Sequence, residues 1–130
     1  MSIIAIMPPE FRAVAEQLKL SPGIVSNNQV FLSGITGSGT DGHMPKDPVT
    51  QFGNAFDKIG ITLQEVGLSF QSIVEMTTYH VGLKDHIDQF NAVRLEYCGE
   101  PFPAWTAVEV AGLRRVGALV EIRVVANIEV

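Results

Sequence analysis

The sequence predicts a single α+β domain in which two helices pack on one face of a mixed β-sheet. Two segments have apolar residues at helical spacing, and several short segments are rich in β-branched residues. Their order along the chain is strand pair, helix, strand, helix, strand pair. A length of 130 residues is close to that of an average domain, so we expect one core over residues 1–130.

The N-terminal part of the chain is predicted to hold a short helix and a hairpin. Residues 1–20 are interpreted as an extension, with a helix from Pro9 to Lys19. Two apolar segments, Gly23 to Ser26 and Gln29 to Gly34, follow as strands. They flank Asn27-Asn28, and because asparagine tolerates positive φ, this pair is typical of a two-residue hairpin turn.

A loop and the two main helices occupy much of the remaining chain. Ile35 to Pro48 contains three glycines and two prolines and is predicted to be a loop. A helix is predicted from Pro48 to Gly67, and a second from Asp85 to Cys98. The first is indicated by a stripe of apolar residues: Val49, Phe52, Phe56, Ile59, Leu63 and Val66.

Three further strands are predicted, from Ile73 to Val81, Ala104 to Ala111 and Leu119 to Ile128. Alternation in the last strand places Val120, Ile122, Val124, Ala126 and Ile128 on one face. The second face of the sheet is then expected to carry Trp105, Glu109, Glu121 and Arg123 beside Leu119 and Val125. Polar and apolar residues mixed in this way suggest assembly with other subunits.

Composition excludes several classes of function. A net charge of −5 is the wrong sign for a general nucleic-acid binder. The apolar segment Ile3 to Met7 is too short for a membrane anchor or a signal peptide. The single cysteine, Cys98, indicates a reducing compartment, so we expect a cytoplasmic protein. It is also more typical of a buried apolar residue than of a nucleophile.

Glu121 is the strongest candidate for chemistry, because its strand is otherwise mostly apolar. In a cleft, partial burial would raise its pKa and let it relay a proton for an attacking water. An ion pair with Arg123, Arg94 or Arg114 explains a carboxylate there equally well. Glu109 presents the same two alternatives, with a weaker case for function.

Two other segments could bind a ligand. Phe102-Pro103-Ala104-Trp105-Thr106 places an aromatic ring and a hydroxyl at the entrance of a strand, although a tryptophan there is more often an interface or core residue. Ser33-Gly34 ends a strand before a glycine-rich loop, where a hydroxyl and backbone N–H groups could hold an anion or a carbonyl oxygen. A plain turn is an equally good interpretation of Ser33-Gly34.

Metal and thiol chemistry are not indicated. Asp41, His43 and Asp47 are close in sequence but match no metal-ligand spacing, so we predict no metal and no cofactor. His80 and His86 are expected to be structural or exposed.

The segment from Gly99 to Ala126 resembles the C-terminal signature of the Rid family, also called YjgF or endoribonuclease L-PSP proteins. The match extends back through Val30-Phe31-Leu32-Ser33-Gly34 and the two predicted helices, and covers residues from about Ser21 onward.

This resemblance implies a chorismate-mutase-like subunit in a homotrimeric barrel, with ligand clefts between subunits. Such proteins hydrolyse enamines and imines such as 2-aminoacrylate, releasing ammonia and a 2-keto acid. Carried over by position, the glutamate that positions water is Glu121. Ser33 and Gly34, with Thr106 and Ala107, are implied to contact the substrate.

Three positions depart from the family pattern. The arginine that clamps the substrate carboxylate is replaced by Trp105, which has one N–H donor and no charge. The family tyrosine falls on Leu20, and the asparagine of the second helix falls on Arg94. We therefore expect weak activity on 2-aminoacrylate and a substrate that depends less on a carboxylate clamp.

Two functions follow from these expectations. The first is an imine or enamine hydrolase with an altered substrate, and the second is a trimeric protein that binds a small metabolite without turnover. Cleavage of RNA is disfavoured by the acidic charge, and neither nucleic acid nor a membrane is an expected partner.

Overall fold

The computed structural model describes residues 3–128. Its strands are β1 (Ile3–Ile6), β2 (Gly23–Ser26), β3 (Gln29–Leu32), β4 (Ile35–Thr36), β5 (Ile73–His80), β6 (Ala104–Glu109) and β7 (Val120–Asn127). Its α-helices are α1 (Arg12–Leu18), α2 (Pro48–Gln64) and α3 (Leu83–Tyr97), with short 3₁₀ turns at Pro9–Phe11 and Phe70–Ser72. Within this part of the chain, no helix combines the length and apolarity required to span a bilayer.

The strands form one sheet in the order β1-β2-β3-β7-β5-β6, with β4 also paired to β7. Neighbours are antiparallel except β5 and β6, which are parallel. The predicted mixed sheet is thus confirmed, but β6 and β7 are not neighbours, because β5 lies between them. β6 therefore forms one edge of the sheet.

Helix α2 is capped and buried as its sequence predicts. The Asp47 side chain accepts a hydrogen bond from the Thr50 backbone N–H at 3.0 Å, and proline follows the cap at the first helical position. Four members of the predicted stripe have no exposed surface: Phe52, Phe56, Ile59 and Leu63. Val49, in contrast, is 45% exposed, so the buried stripe begins one turn later than predicted.

The N-terminal residues add a strand that the sequence pattern did not indicate. Strand β1 pairs antiparallel with β2 and forms the second edge of the sheet. The predicted helix after it is confirmed as a 3₁₀ turn leading into α1. The predicted hairpin turn is confirmed as well, since Asn27 has a φ of 56° between β2 and β3.

The predicted loop after Gly34 begins with two paired residues, β4, that align with Ile122 and Glu121 of β7. Gly37 then passes so close to α2 that an added Cβ would lie 2.7 Å from the Cα of Gln51. The buried Gln51 amide donates to the carbonyls of Pro45 and Gly117, both at 2.8 Å, and accepts from the Leu119 N–H at 2.9 Å. One side chain thus fastens two loops together.

The two faces of the sheet differ from the sequence-based assignment. Directly paired residues point to the same face, and Trp105 and Glu109 of β6 pair with Met76 and His80 of β5, which are buried under the helices. Glu121 instead pairs with Tyr79, on the opposite, open face. The prediction that Trp105 and Glu109 share a face with Glu121 and Arg123 is therefore wrong.

Candidate functional site

The open face of the sheet presents Glu121 in a row of four paired positions. Across β6, β5, β7 and β4 the row runs Val108, Tyr79, Glu121 and Thr36. Side chains directly opposite each other have Cβ atoms about 5 Å apart. The Tyr79 phenol and the Thr36 hydroxyl therefore flank the carboxylate, and alternation within single strands could not reveal this juxtaposition.

The Glu121 side chain also lies against the backbone at the end of β3. A Cβ placed on Gly34 would approach the carboxyl carbon of Glu121 to 2.8 Å. Only glycine leaves this space to the carboxylate. Glu121 and Gly34, which are both implied by the family pattern, are thus in direct contact.

Ser33 contributes a hydroxyl whose orientation is fixed. Its Oγ donates a hydrogen bond to the Ser21 carbonyl at 2.7 Å, and its backbone N–H donates to the Pro22 carbonyl at 3.0 Å. The hydroxyl oxygen retains lone pairs to accept a hydrogen bond from a ligand. Ser33 is thus a positioned acceptor beside the Glu121–Gly34 contact.

None of the arginines considered for an ion pair with Glu121 makes one among residues 3–128. Arg123 lies 3.9 Å from Glu75 instead, and the only other ion pair in this part of the chain joins Arg12 and Glu16. The half-buried Glu121 carboxylate is therefore available to a ligand or to a second subunit.

Trp105 is half-buried and held from the helix side of the sheet. Its indole Nε1–H donates to Thr78 Oγ1 at 2.9 Å, and its ring lies 6.0 Å from that of Phe90. The single donor of the indole is therefore already used within the subunit. Trp105 offers a ligand only the surface of its ring.

Arg94 lies over the ring of Trp105, which occupies the position of the family arginine. Its guanidinium is 4.2 Å from the centre of the Trp105 ring, a cation–π distance. Nε and one terminal nitrogen donate to Asn91 Oδ1 at 3.1 and 2.8 Å. Arg94 is only 9% exposed, so little of its charge is open to solvent.

His80 and His86 extend this buried polar group. His80 Nε2 lies 2.7 Å from Thr78 Oγ1, and His80 Nδ1 lies 3.3 Å from His86 Nε2. Since Thr78 Oγ1 accepts from the Trp105 indole, its hydroxyl can donate a hydrogen bond to His80 Nε2. The Nδ1–H of His80 then donates to His86 Nε2. Burial, and then the neighbouring His86, lower the pKa of His80 to about 4. The pKa of His86 is also lowered by burial, against the opposing charge of Asp85.

The remaining residues implied by the family pattern are separated by the sheet. Thr106 is exposed and pairs with Thr77 on the open face, whereas Ala107 pairs with Thr78 on the helix side. Leu20 is 41% exposed in the segment between α1 and β2. Within one subunit, Ser33, Gly34 and Glu121 are brought together, while Trp105 and Arg94 lie behind the sheet.

The other side chains singled out in the sequence have structural roles. Asp41 accepts a hydrogen bond from the His43 N–H at 2.9 Å, and Glu109 accepts one from the N–H of Leu83, the first residue of α3. Burial raises the pKa of the Cys98 thiol, although Arg94 opposes the shift. In the part of the chain that the structure describes, no three His, Cys, Asp or Glu residues are grouped to hold a metal.

Comparison with known proteins gives consistent matches over most of the chain. The model of a family described as endoribonuclease L-PSP matches residues 11–128. The chain is 32% identical over 125 residues to the RutC family protein YjgH of Escherichia coli strain K12, covering 95% of this chain and 94% of that protein.

Solved structures show the same likeness. The structure of protein YJGH superposes with a TM-score of 0.90 at 30% identity, covering 100% of this chain and 99% of that one. RidA from the Antarctic bacterium Psychrobacter sp. PAMC 21119 gives 0.78 at 27% identity, covering 83% and 87%.

Proposed function

Since this chain belongs to the endoribonuclease L-PSP family, also called YjgF or Rid, we propose that it hydrolyses small imines or enamines in clefts between the subunits of a homotrimer. The observation that carries the proposal is the contact of the Glu121 carboxylate with Gly34, beside Ser33 and on the open face of the sheet. A carboxylate that forms no ion pair with any of residues 3–128 is suited in this position to activating water.

The chemistry requires one base that later acts as an acid. Glu121 takes a proton from water as the oxygen attacks the imine carbon, and delivers it to the nitrogen, which gives a neutral carbinolamine. The carboxylate then takes the proton of the new hydroxyl group and delivers it to the nitrogen as the C–N bond breaks, which leaves a carbonyl compound and ammonia. Ser33 accepts a hydrogen bond from the substrate and orients it.

Assembly would complete the site. Glu121 lies on the open face, whereas Trp105 and Arg94 lie on the helix side of edge strand β6. A sheet separates them within one subunit, so the carboxylate of one subunit can meet the indole and guanidinium only of another. A sedimentation measurement that finds a monomer at micromolar concentration would contradict this composite site.

The proposed substrate preference follows from the contacts that the Trp105 indole and the Arg94 guanidinium already make within the subunit. The indole N–H is bonded to Thr78, and the guanidinium is mostly buried against the indole ring. Neither can form the fully open bidentate fork that grips a carboxylate. We therefore propose a substrate bound mainly by stacking on the indole, with Arg94 giving a weaker attraction to a carboxylate.

Restoring the family residues at both positions is expected to raise hydrolysis of 2-aminoacrylate about tenfold or more over the slow native chain, since a charge-assisted pair contributes about 1.5–3 kcal/mol. The variant is Trp105→Arg combined with Arg94→Asn. Ammonia release is measured while a dehydratase generates 2-aminoacrylate in the same solution.

The single variant Trp105→Arg is the matched comparison. Its new guanidinium would face Arg94 across the space of the lost ring, so like charges oppose each other and the gain should be smaller than in the double variant. Rapid hydrolysis of 2-aminoacrylate by the native chain would contradict the proposed substrate preference.

The bonded indole N–H also favours the second function, a metabolite-binding trimer without turnover. In that case aromatic or imine ligands would raise the melting temperature without ammonia release. Turnover of any imine that depends on Glu121 would exclude it.

A further inference from the structure

A cavity separate from the proposed deaminase site lies between the loop after β4 and helix α2. Its volume is about 360 Å³, sufficient for a small molecule. None of the residues assigned above to imine hydrolysis lines it. The lining comprises Ser38, Gly39, Thr40, Asp41, Asn54, Asp57 and Lys58.

Lys58 is unusual among these residues because it is a buried amine that forms no ion pair with a carboxylate of residues 3–128. It is 8% exposed, and its Nζ donates to Ser38 Oγ at 2.9 Å. The ion pairs found over residues 3–128 do not include it. Asp57 accepts a hydrogen bond from the Tyr97 hydroxyl at 2.8 Å, and Asp41 accepts one from the His43 N–H.

The surroundings of Lys58 increase the fraction of its neutral form. Burial, and then the positive charge of Arg115, lower the pKa of Lys58 to about 8. Arg115 is held nearby, because it donates to the Gly42 carbonyl in the loop that borders the cavity. At pH 7 roughly a tenth of Lys58 is therefore the free amine, whereas an ordinary lysine is almost entirely protonated. A free amine is the form that attacks carbonyl carbon.

We propose that Lys58 is a nucleophilic amine that forms an imine with small neutral aldehydes in this cavity. The amine nitrogen bonds to the aldehyde carbon, the carbonyl oxygen leaves as water, and a C=N bond remains. Hydrolysis reverses the step, so no oxidant or reductant is required.

The lining indicates why a neutral aldehyde is favoured over a 2-oxo acid. Asp41 and Asp57 place two carboxylates around the cavity, against Lys58 as the one cation among the lining residues, so the lining carries a net negative charge that disfavours an anion. The Asn54 amide donates to the Gly37 carbonyl at 3.1 Å, which leaves its oxygen to accept a hydrogen bond. Uncharged, hydroxyl-bearing aldehydes of a few carbons fit this lining best.

Reductive trapping tests the proposal on the native protein. The chain is treated at pH 7 with glycolaldehyde and cyanoborohydride, and the modified lysines are located by peptide mass mapping. The other three lysines, Lys19, Lys46 and Lys84, are exposed and serve as internal controls. The free-amine fraction of Lys58 at pH 7 is roughly 200-fold that of an ordinary lysine. Burial of the nitrogen offsets part of this gain, so we expect Lys58 to be labelled at least about tenfold faster than any of them. Labelling no faster than at Lys84 would overturn the proposal.

Variants and a second probe separate this site from the proposed deaminase site. Lys58→Met should remove the fast label, while Lys84→Met should leave it unchanged. Glu121→Gln should also leave it unchanged, so failure of imine hydrolysis and failure of the Lys58 site are distinguishable. Pyruvate should label Lys58 more slowly than glycolaldehyde, and the reverse order would refute the aldehyde preference. If Lys58→Met does not fold, the mapping of the native chain still decides the question.

Discussion

Replacing Glu121 with glutamine is expected to slow imine hydrolysis about 100-fold or more, the usual contribution of a positioned general base. The amide keeps the shape that fits against Gly34 but cannot take a proton from water. The fold should be preserved, because Glu121 makes no ion pair among residues 3–128. The loss should therefore appear in turnover and not in stability.

The measurement uses imines generated by an amino-acid oxidase, with ammonia release followed across a panel of aliphatic and aromatic precursors. Glu75→Gln is the matched control, since Glu75 lies on the same open face and loses the same charge. We expect that control to keep nearly native turnover. An unchanged rate in Glu121→Gln for every accepted imine would remove the water-activating role.

Lowering the pH from 7 to 4 is expected to reduce the free energy of unfolding by about 3 kcal/mol through His80 alone. Its folded-state pKa of about 4 lies below the ordinary value of 6.5. The unfolded chain therefore binds a proton in this range that the folded chain does not. The free energy of unfolding is therefore highest above pH 6.5 and falls as the pH drops towards 4. The lowered pKa of His86 acts in the same direction.

Urea unfolding at several pH values measures this effect. His43→Gln is the control, because His43 is exposed and its removal should leave the pH dependence unchanged. His86→Gln should make the dependence shallower by removing one of the two buried histidines. A free energy of unfolding that stays constant between pH 7 and 4.5 would show that neither ring resists protonation.

Much of the fold could be predicted because periodicity reports burial. The alternation of β7 and the stripe of α2 each identified side chains that are now almost fully buried, such as Ile122 and Phe56. Strand β1 was missed because Ile3 to Ile6 is uniformly apolar and has no alternation, while only one of its residues, Ile6, is buried. Its role as an edge strand depends on pairing with β2, which is a tertiary property.

The candidate site was predicted only in part. The apolar strand around Glu121 and the strand end at Ser33-Gly34 indicated these three residues, and the family resemblance gave them roles. The structure brings them together. Trp105 was placed on the wrong face because alternation shows which residues of one strand share a face, but not which face of the sheet they share with another strand. Only the parallel register with β5 shows that Trp105 lies beside Met76, under α3. The burial of Lys58 could not be predicted from the sequence, since a lysine in an amphipathic helix usually faces solvent.

The three hydrogen bonds of Gln51 connect the two candidate sites, the Lys58 cavity and the Glu121 site. The Gln51 amide donates to the Pro45 carbonyl, in the segment that borders the Lys58 cavity. It also bonds to Gly117 and Leu119, just before β7, the strand that carries Glu121. A molecule that displaces the segment around Pro45 must either break these hydrogen bonds or displace the residues before β7 as well. Binding of an aldehyde at Lys58 and binding of an imine beside Glu121 would then be energetically coupled, each altering the affinity of the other by the same factor.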